Sequence, residues 1–279
     1  MAIKILTDST ADLPQEIVEQ YGISVVPLKV IFGKDEYVDG VDLAPEEFYE
    51  MLEKSEELPT TSQVTPEQFI EHFEEAEANG DELLCIHISS AMSGTIQSAN
   101  IAKDHVKYDK VHVVDSRTVT VQLGLMVVAA CKMREEGASL EQILERLDEL
   151  VSKTVLYASI ATLKYLKKGG RIKATSAVIG SALNIKPIIT IADGLVESIA
   201  KARGIKKSYE EIKKIIDASG TTLDGKDIFI AHAHDKQSLS KLKEFLLANY
   251  KPKKVYECIV GSVVGTHAGP GCVALAFEQ

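Results

Sequence analysis

The sequence predicts an α/β protein with two domains and a ligand held between them. The chain has 279 residues, which is long for a single hydrophobic core, so two domains are expected. In the first half, strand-like runs alternate with helix-like runs, which is typical of a doubly wound parallel sheet. From about residue 152 onward the pattern favours an α+β arrangement with a mixed sheet. We therefore expect a Rossmann-like α/β domain over residues 1–152 and an α+β domain over residues 153–279.

In the N-terminal domain each predicted strand leads through a polar turn into a helix. Asp12 is expected to cap a helix that begins at Pro14. Two later helices open with proline followed by acidic residues, a combination that favours a helix start. The predicted strands are 3–6, 25–32, 83–88 and 111–114, and the further helices are 45–52, 66–77, a helix after Ser93, 119–135 and 140–150.

The C-terminal domain contains a clear hairpin signal. Asp193-Gly194 separates two apolar runs, and this dipeptide favours a two-residue hairpin turn. A glycine-rich segment, 265–271, contains His267, and its glycines predict a loop before the last strand. The small apolar segment 177–183 and the pair Ile188-Ile189 fit the lining of an apolar cavity, and they equally fit an ordinary hydrophobic core. The predicted strands are 155–160, 187–191, 195–203, 228–233, 255–260 and 273–277, and the helices are 163–168, 208–217 and 238–249.

Charge is divided unevenly along the chain. The net charge of −10 disfavours nonspecific binding to nucleic acid. Residues 1–150 carry a net charge of −19 and residues 151–279 a net charge of +9. This asymmetry fits docking of the two halves, a basic face for an acidic partner or membrane surface, or merely an uneven solvated surface.

Small hydroxyl residues gather where strands are predicted to end. They occur in Pro59-Thr60-Thr61-Ser62-Gln63 and in the segment 89–95. The carboxyl ends of parallel strands share one crevice, and a helix N-terminus there favours an anion. Ser93 read alone fits an N-cap as well as it fits an anion-binding hydroxyl.

Recognised signatures of catalysis are missing from the sequence. It has no G-x-x-x-x-G-K-[ST], G-x-G-x-x-G, G-x-S-x-G or H-E-x-x-H pattern. One candidate function is that of a serine acyl hydrolase that uses Ser93 with His267 and Asp115. This function requires the three side chains to lie within hydrogen-bond distance of one another. The four cysteines are scattered in apolar contexts, which indicates buried thiols in a reducing cytoplasm rather than disulfides or a metal site.

Six motifs in order give the chain a family resemblance. Together they resemble the DegV family of bacterial fatty-acid-binding proteins, which serve a fatty acid kinase, and they extend over residues 5–271. One departure is visible, because Val64 follows Gln63 where the family often has proline. The motifs are the opening segment 5–12, 59–63, Ser93-Gly94-Thr95, Lys168-Gly169-Gly170-Arg171-Ile172, Arg203-Gly204 and 266–271.

The resemblance implies a carrier rather than an enzyme. It implies one long-chain, palmitate-like fatty acid buried between the domains, with no cofactor, no metal and no catalytic residue in this chain. The carboxylate would be bound by Thr61, Ser93 and His267. Arg203 would lie on the surface that meets the kinase, which forms acyl phosphate for phospholipid synthesis. The residues expected to support the headgroup and pocket are Ser62, Gly94, Thr95 and Arg171.

The start of the chain and its charge give the remaining expectations. Residues 1–6 enter a strand-like run directly, which argues against a signal peptide and favours a cytoplasmic protein. A monomer is the default expectation. The basic half, with residues such as Lys167 and Lys168, gives a reason to expect an acidic partner or a transient contact with a membrane surface.

Overall fold

The computed structural model describes residues 2–174 and 184–279, and its elements are numbered in chain order. The strands are β1 Ile3–Asp8, β2 Ser24–Val26, β3 Lys29–Phe32, β4 Asp35–Val38, β5 Thr60–Ser62, β6 Glu82–His87, β7 Val111–Asp115, β8 Thr154–Ser159, β9 Ile185–Ala192, β10 Leu195–Arg203, β11 Asp227–Ala233, β12 Lys254–Ile259 and β13 Cys272–Glu278. The helices are α1 Gln15–Tyr21, α2 Pro45–Lys54, α3 Pro66–Asn79, α4 Thr95–Val106, α5 Thr120–Glu135, α6 Leu140–Lys153, α7 Lys164–Gly169, α8 Ile205–Ala218, α9 Lys236–Asn249 and α10 Ser262–Ala268.

The described strands form three sheets. The first is parallel, in the order β2-β1-β6-β7, so the carboxyl ends of its strands lie at one edge. The second has the order β10-β9-β8-β13-β11-β12 and is antiparallel except between β11 and β12. A small antiparallel sheet, β4-β3-β5, follows the first crossover. The parallel sheet in the first half and the mixed sheet in the second confirm the predicted fold class. The domain boundary at 152/153, between α6 and β8, stays a prediction.

Helix α5 lies between the two large sheets. It is apolar around its whole circumference, and residues such as Leu123 and Met126 are fully buried. One side of the helix packs on β1 and β6, and the other packs on β8, β11 and β13. A helix that is hydrophobic all round must be covered on all sides, and here two sheets cover it. The two halves of the chain therefore share one hydrophobic core.

No helix in residues 2–174 or 184–279 has both the length and the apolar character needed to cross a membrane.

The hairpin prediction is confirmed in detail. Strands β9 and β10 pair through a turn at Asp193 and Gly194, whose φ angles are 52° and 78°. Positive φ at both central residues is the requirement of a type I′ turn. The tip of the hairpin reaches the N-terminal half, where the Ser89 hydroxyl donates to the Gly194 carbonyl at 2.8 Å.

The single strand predicted over 25–32 is wrong, because the structure divides it. Strand β2 joins the parallel sheet beside β1, whereas β3 belongs to the small antiparallel sheet. Pro27 lies between them and has no N–H to continue a ladder. The next amide, that of Leu28, donates to the Ser9 hydroxyl at 3.1 Å. The proline thus marks the point where the chain leaves one sheet for another.

The predicted N-cap role of Asp12 is also wrong. Helix α1 begins at Gln15 and Pro14 occupies its N-cap position without a side-chain hydrogen bond. The Asp12 carboxylate instead accepts from the Thr120 hydroxyl at 2.6 Å and from the Gly261 amide at 2.9 Å. Asp12 therefore joins the first strand region to the starts of α5 and α10.

The segment 265–271, predicted as a loop, is largely helical. Helix α10 ends at Ala268, and Gly269 follows it as the C-cap with a φ of 72°. Glycine at position 265 is required by packing, because a Cβ there would lie 2.6 Å from the Tyr49 hydroxyl oxygen. The glycines that suggested a loop are thus a close-packing position and a helix C-terminus.

A candidate ligand cavity between the sheets

A cavity lies between the second sheet and the loops of the N-terminal half. Counted to its open mouth and including the solvent-filled space there, it encloses about 980 Å³. Its wall is mainly aliphatic, and four of its polar side chains, those of Thr61, Ser93, Arg171 and His267, form a group that we call the polar end. The apolar lining residues are Leu28, Ile88, Met92, Val119, Leu156, Ala158, Leu166, Ile189, Ile191, Val196, Val260, Val263, Val264, Ala268, Cys272 and Ala274.

Strand periodicity explains which residues face the cavity. Successive side chains on a strand point to opposite faces. On β8, Leu156 and Ala158 line the cavity, whereas Tyr157 lies in the core beneath α8 and α9. On β9, Ile189 lines the cavity and Ile188 lies in that other core. The expectation for Ile188-Ile189 therefore holds for one residue of the pair, and the segment 177–183 lies outside the described residues.

The polar end brings together side chains from four separate parts of the chain. Thr61 comes from β5, Ser93 from the loop before α4, Arg171 from the turn after α7 and His267 from the last turn of α10. The Thr61 hydroxyl oxygen is 3.1 Å from Nε2 of His267. The fold therefore assembles two hydroxyls, one imidazole and one guanidinium at one end of an apolar cavity.

Arg171 links the polar end to the loop that carries Ser93. Its Nε donates to the Met92 carbonyl at 3.1 Å, and its Nη1 donates to the carbonyl of Gly169. Both contacts use backbone oxygens, so the charge of the guanidinium is not paired with a carboxylate among the described residues. Arg171 thus places at the cavity a positive charge that no carboxylate of residues 2–174 or 184–279 pairs with.

Ser93 precedes α4 and is not its N-cap residue. Gly94 occupies the N-cap position, and the Ser93 hydroxyl lies 2.9 Å from that of Thr95. The Thr95 amide also donates to the Ser93 oxygen at 3.3 Å. Ser93 is therefore oriented by the first helical residue, while its side chain also lines the cavity.

The Gln63 amide lies directly against Gly94, so a side chain at position 94 would displace it. A Cβ at position 94 would lie 2.0 Å from the Gln63 side-chain oxygen. Gln63 Nε2 donates to the Ser98 hydroxyl at 2.9 Å and to the Gly94 carbonyl at 3.3 Å. This amide therefore fixes the segment that carries Thr61 against the start of α4.

His267 is electrically neutral at pH 7. Burial, together with the neighbouring positive charge of Arg171, lowers its pKa to about 4. Its Nδ1 is buried and has no hydrogen-bond partner among the described residues. A Cβ at Gly169 would lie 2.2 Å from this nitrogen, so only glycine leaves room for the ring. The His267 ring is thus closely packed at Nδ1, while its Nε2 contacts the Thr61 hydroxyl at the cavity.

The structure brings most of the expected site residues to the cavity. Thr61, Ser93, Gly94, Arg171 and His267 line it.

The other expected site residues lie elsewhere. Ser62 and Thr95 are not among the described lining residues; Ser62 pairs with Lys29 of β3, and Thr95 is fully buried. Arg203 is exposed at the end of β10, away from the lining.

The residues of the alternative hydrolase do not form a triad. Asp115 accepts from the Ser90 amide at 3.2 Å and from the Ser90 hydroxyl at 2.5 Å. His267 has no acid behind its Nδ1 among the described residues, and its Nε2 faces Thr61 rather than Ser93. A nucleophile, its base and the orienting acid must be in hydrogen-bond sequence for this chemistry.

Comparison with known proteins assigns the family. The model of the DegV family, described as a family of uncharacterised proteins, matches residues 2–279. The chain belongs to the DegV family. A DegV domain-containing protein of Caldanaerobacter subterraneus subsp. tengcongensis is 36% identical over 277 residues, covering 99% of each chain.

Solved structures of DegV family members share the fold over the full length. One from Thermus thermophilus, described as binding fatty acid, has a TM-score of 0.92 and 35% identity and covers 100% of both chains. Another from Eubacterium eligens, loaded with heptadecanoic acid, has a TM-score of 0.87 and 25% identity, again with 100% of both chains covered. Fatty acid binding is thus described for both of these DegV family proteins.

For this DegV family chain, two groups of cavity residues escaped the sequence analysis. The first is polar: Thr10, Gln63 and Thr120 also line the cavity. Gln63 belongs to the motif 59–63, but its side-chain amide contacts α4 only in the folded chain. The second is the aliphatic wall. Its residue types are also those of an ordinary hydrophobic core, so no sequence signal distinguishes lining residues from core residues.

Proposed function

We propose that this chain carries one long-chain fatty acid in the cavity and presents its carboxylate to a fatty acid kinase. The observation that supports this most directly is the cavity itself, whose wall is mainly aliphatic and includes the group of polar side chains formed by Thr61, Ser93, Arg171 and His267. A fatty acid likewise has a long apolar tail and a polar carboxylate at one end. The known fatty acid binding of DegV family structures with the same fold supports the assignment.

The acyl tail accounts for affinity in this proposal. Burying methylene groups contributes about 0.8 kcal/mol each, so a palmitate-like tail would gain roughly 11 kcal/mol before the cost of ordering. No cofactor or metal is needed for such binding. Among the described residues, no group of three or more His, Cys, Asp or Glu side chains is placed to hold a metal ion.

The headgroup contacts account for orientation. The hydroxyls of Thr61 and Ser93 are proposed to donate to the carboxylate, and neutral His267 to contact it through Nε2. Arg171 supplies positive charge without a competing carboxylate among the described residues. Ser62, Gly94 and Thr95 are proposed to support this arrangement from behind.

The carrier role divides the chemistry between two proteins. A carboxylate oxygen would attack the terminal phosphorus of a nucleoside triphosphate bound to the kinase. One O–P bond forms, the bond to the leaving diphosphate breaks, and the diphosphate keeps the electron pair. The charge balances without a proton transfer, so the carrier needs no general base. The acyl phosphate would then supply phospholipid synthesis.

The surface of the C-terminal half is proposed to meet the partner. Arg203 is exposed at the end of β10, and Lys206 and Lys207 follow it on α8. Exposed basic residues steer association with an acidic protein and also favour transient contact with anionic lipid. We propose that the carrier acts as a cytoplasmic monomer.

The test is mass spectrometry of lipid released by denaturing the purified protein. A stoichiometric long-chain fatty acid is expected. Ala274→Leu is the test variant, because Ala274 faces the cavity and a larger side chain there would occupy space needed by the tail. We expect this variant to fold and to retain less lipid or a shorter chain. Absence of fatty acid from the natural protein, with no uptake of added palmitate or oleate, would contradict the proposal.

A further inference from the structure

A second, smaller groove shares a wall with the cavity. It encloses about 530 Å³ counted to its mouth, and Thr61, Arg171 and His267 line both spaces. The proposed headgroup residues thus stand between an apolar cavity on one side and a surface groove on the other. The groove adds the polar side chains of Thr60, Tyr165, Lys168 and Thr266, which are not among the lining residues of the cavity.

Positive charge dominates this groove. Lys168 is exposed in the last turn of α7 and makes no ion pair with the described residues. Arg171 lies on the shared wall, and its Nη2 has no hydrogen-bond partner among the described residues. No Asp or Glu is among the described residues that line the groove. The Thr60 side chain is exposed there, with a hydroxyl able to donate.

We propose that this groove binds the phosphoryl group of an acyl phosphate, with Lys168 as the cation specific to that group, while the acyl chain stays in the cavity. The inference rests on the proposed fatty acid function and adds a site for its phosphorylated product. Converting a carboxylate to an acyl phosphate extends the headgroup by one phosphoryl unit. It also raises the negative charge from one to about two near neutral pH. A carboxylate held on the shared wall would place that added group in the groove.

Selectivity follows from the division of residues between the two spaces. The carboxyl oxygens of either ligand meet Thr61 and His267 on the shared wall. Only the phosphorylated ligand extends far enough to use Lys168, a strongly charged donor for phosphate oxygens. Loss of Lys168 should therefore weaken the phosphorylated ligand and leave the fatty acid unaffected.

The experiment compares two probes by isothermal titration calorimetry on delipidated full-length protein. Palmitate represents the substrate, and hexadecyl phosphate represents the product without its reactive acyl–phosphate bond. Lys168→Ala is expected to weaken hexadecyl phosphate binding about five- to thirty-fold and to leave palmitate binding unchanged. Lys168→Arg should retain most of the affinity. Lys167→Ala is the matched control, because Lys167 is exposed on the same helix but is not a groove residue.

The outcomes separate this inference from the proposed function. Equal effects of Lys168→Ala on both probes, no effect on either, or the same effect from Lys167→Ala would overturn the phosphoryl site. Palmitate binding by the natural protein without hexadecyl phosphate binding would also overturn it and leave the carrier function standing. Failure to bind palmitate would contradict the carrier function, whereas hexadecyl phosphate binding that depends on Lys168 would still support the groove.

Discussion

Thr61 Oγ1 lies 3.1 Å from Nε2 of His267, although the two residues are 206 positions apart. The contact joins β5 of the small sheet to the last turn of α10, and so joins the two halves of the chain at the polar end of the cavity. A ligand that binds there touches both halves at once. Changes on either side of this contact should therefore alter binding.

Removing one headgroup hydroxyl should weaken fatty acid binding. Ser93→Ala deletes a proposed donor to the carboxylate, and we expect a loss of about 1–3 kcal/mol in palmitate binding. Thr61→Val should have a similar effect, since it removes a hydroxyl while keeping the branched shape. Calorimetric titration of delipidated protein measures both. Ser90→Ala is a control on the same loop, where the hydroxyl bonds Asp115 instead. Unchanged affinity in both Ser93→Ala and Thr61→Val would contradict the assigned headgroup site.

The stability of the ligand-free protein should depend on pH through His267. Burial, with the Arg171 charge, lowers the pKa of His267 from 6.5 to about 4 in the folded protein. The unfolded chain therefore binds a proton below pH 6.5, whereas the folded protein does not bind it until about pH 4. Stability from this group is complete above pH 6.5 and is lost as pH falls, by about 3 kcal/mol in total.

The comparison with His267→Gln isolates this effect. Other buried acidic groups also make the free energy of unfolding depend on pH. The pH dependence of the natural protein alone therefore does not isolate the contribution of His267. Urea unfolding at pH 7 and pH 4.5 should show a smaller drop for the variant. Parallel pH profiles for the two proteins would show that His267 is not held neutral by the fold.

Local sequence patterns predicted much of the fold, and long-range contacts explain the misses. The strand ending at His87 and the Asp193-Gly194 turn follow from residue type and periodicity alone. Helix α10 was missed because Gly265 reads as a loop residue, whereas tertiary packing against Tyr49 selects it. Asp12 was misplaced because its partners, Thr120 and Gly261, lie 108 and 249 positions away.

The site was less accessible to sequence reasoning than the fold. Family motifs identified Thr61, Ser93 and His267 as site residues. Residue types alone fitted two roles for Ser93, that of a helix N-cap and that of a ligand-binding hydroxyl. The cavity wall could not be predicted, because both faces of the second sheet are covered by apolar residues. Alternation along β8 tells which residues share a face and does not tell which face meets a cavity.

Packing at Gly265 should control the position of His267. A Cβ at this residue would lie 2.6 Å from the Tyr49 hydroxyl oxygen and 2.7 Å from the Phe48 ring. Gly265→Ala must therefore move α10 away from α2, at a cost of about 1–3 kcal/mol in the free energy of unfolding.

The same shift should reduce fatty acid content, because His267 lies two residues further along α10. Thermal unfolding and lipid analysis of Gly265→Ala measure the two effects. Gly220→Asn is a control at a left-handed turn with no neighbouring atom within 4 Å of a Cβ, and asparagine tolerates that conformation. Natural stability and natural lipid content in Gly265→Ala would contradict the packing argument.

Charge reversal at Arg203 should separate lipid binding from kinase docking. Arg203 is exposed and lies outside the cavity lining, so Arg203→Glu should leave lipid content unchanged. It should abolish productive docking if the partner surface is acidic. Acyl phosphate formation with purified fatty acid kinase is the measurement, and Lys201→Glu on the same strand is the control for charge alone. Normal phosphorylation with Arg203→Glu would refute the docking role.

Asp12 should stabilise the start of α10 as a hydrogen-bond acceptor rather than as a charge. Burial raises the pKa of Asp12 well above its usual value, and the nearby carboxylates of Asp39 and Asp8 add to this. Burial therefore favours the neutral form of this carboxyl more strongly in the folded protein than in the unfolded chain. Asp12→Asn keeps an oxygen for the Gly261 amide, whereas Asp12→Ala leaves that amide and the Thr120 hydroxyl without their acceptor.

We expect Asp12→Ala to lower the free energy of unfolding by about 1–3 kcal/mol more than Asp12→Asn does. The pH dependence gives a second readout. Because the folded-state pKa of Asp12 is raised, its contribution to stability is complete below pH 3.8 and is lost as pH rises toward the folded value. The natural protein should therefore lose stability relative to Asp12→Asn as the pH is raised from 3.8 to 7. Urea unfolding of the three proteins across that range provides the measurement. A constant difference between the natural protein and Asp12→Asn would show that the Asp12 carboxyl titrates alike in the folded and unfolded chain, contrary to the buried position that the fold gives it.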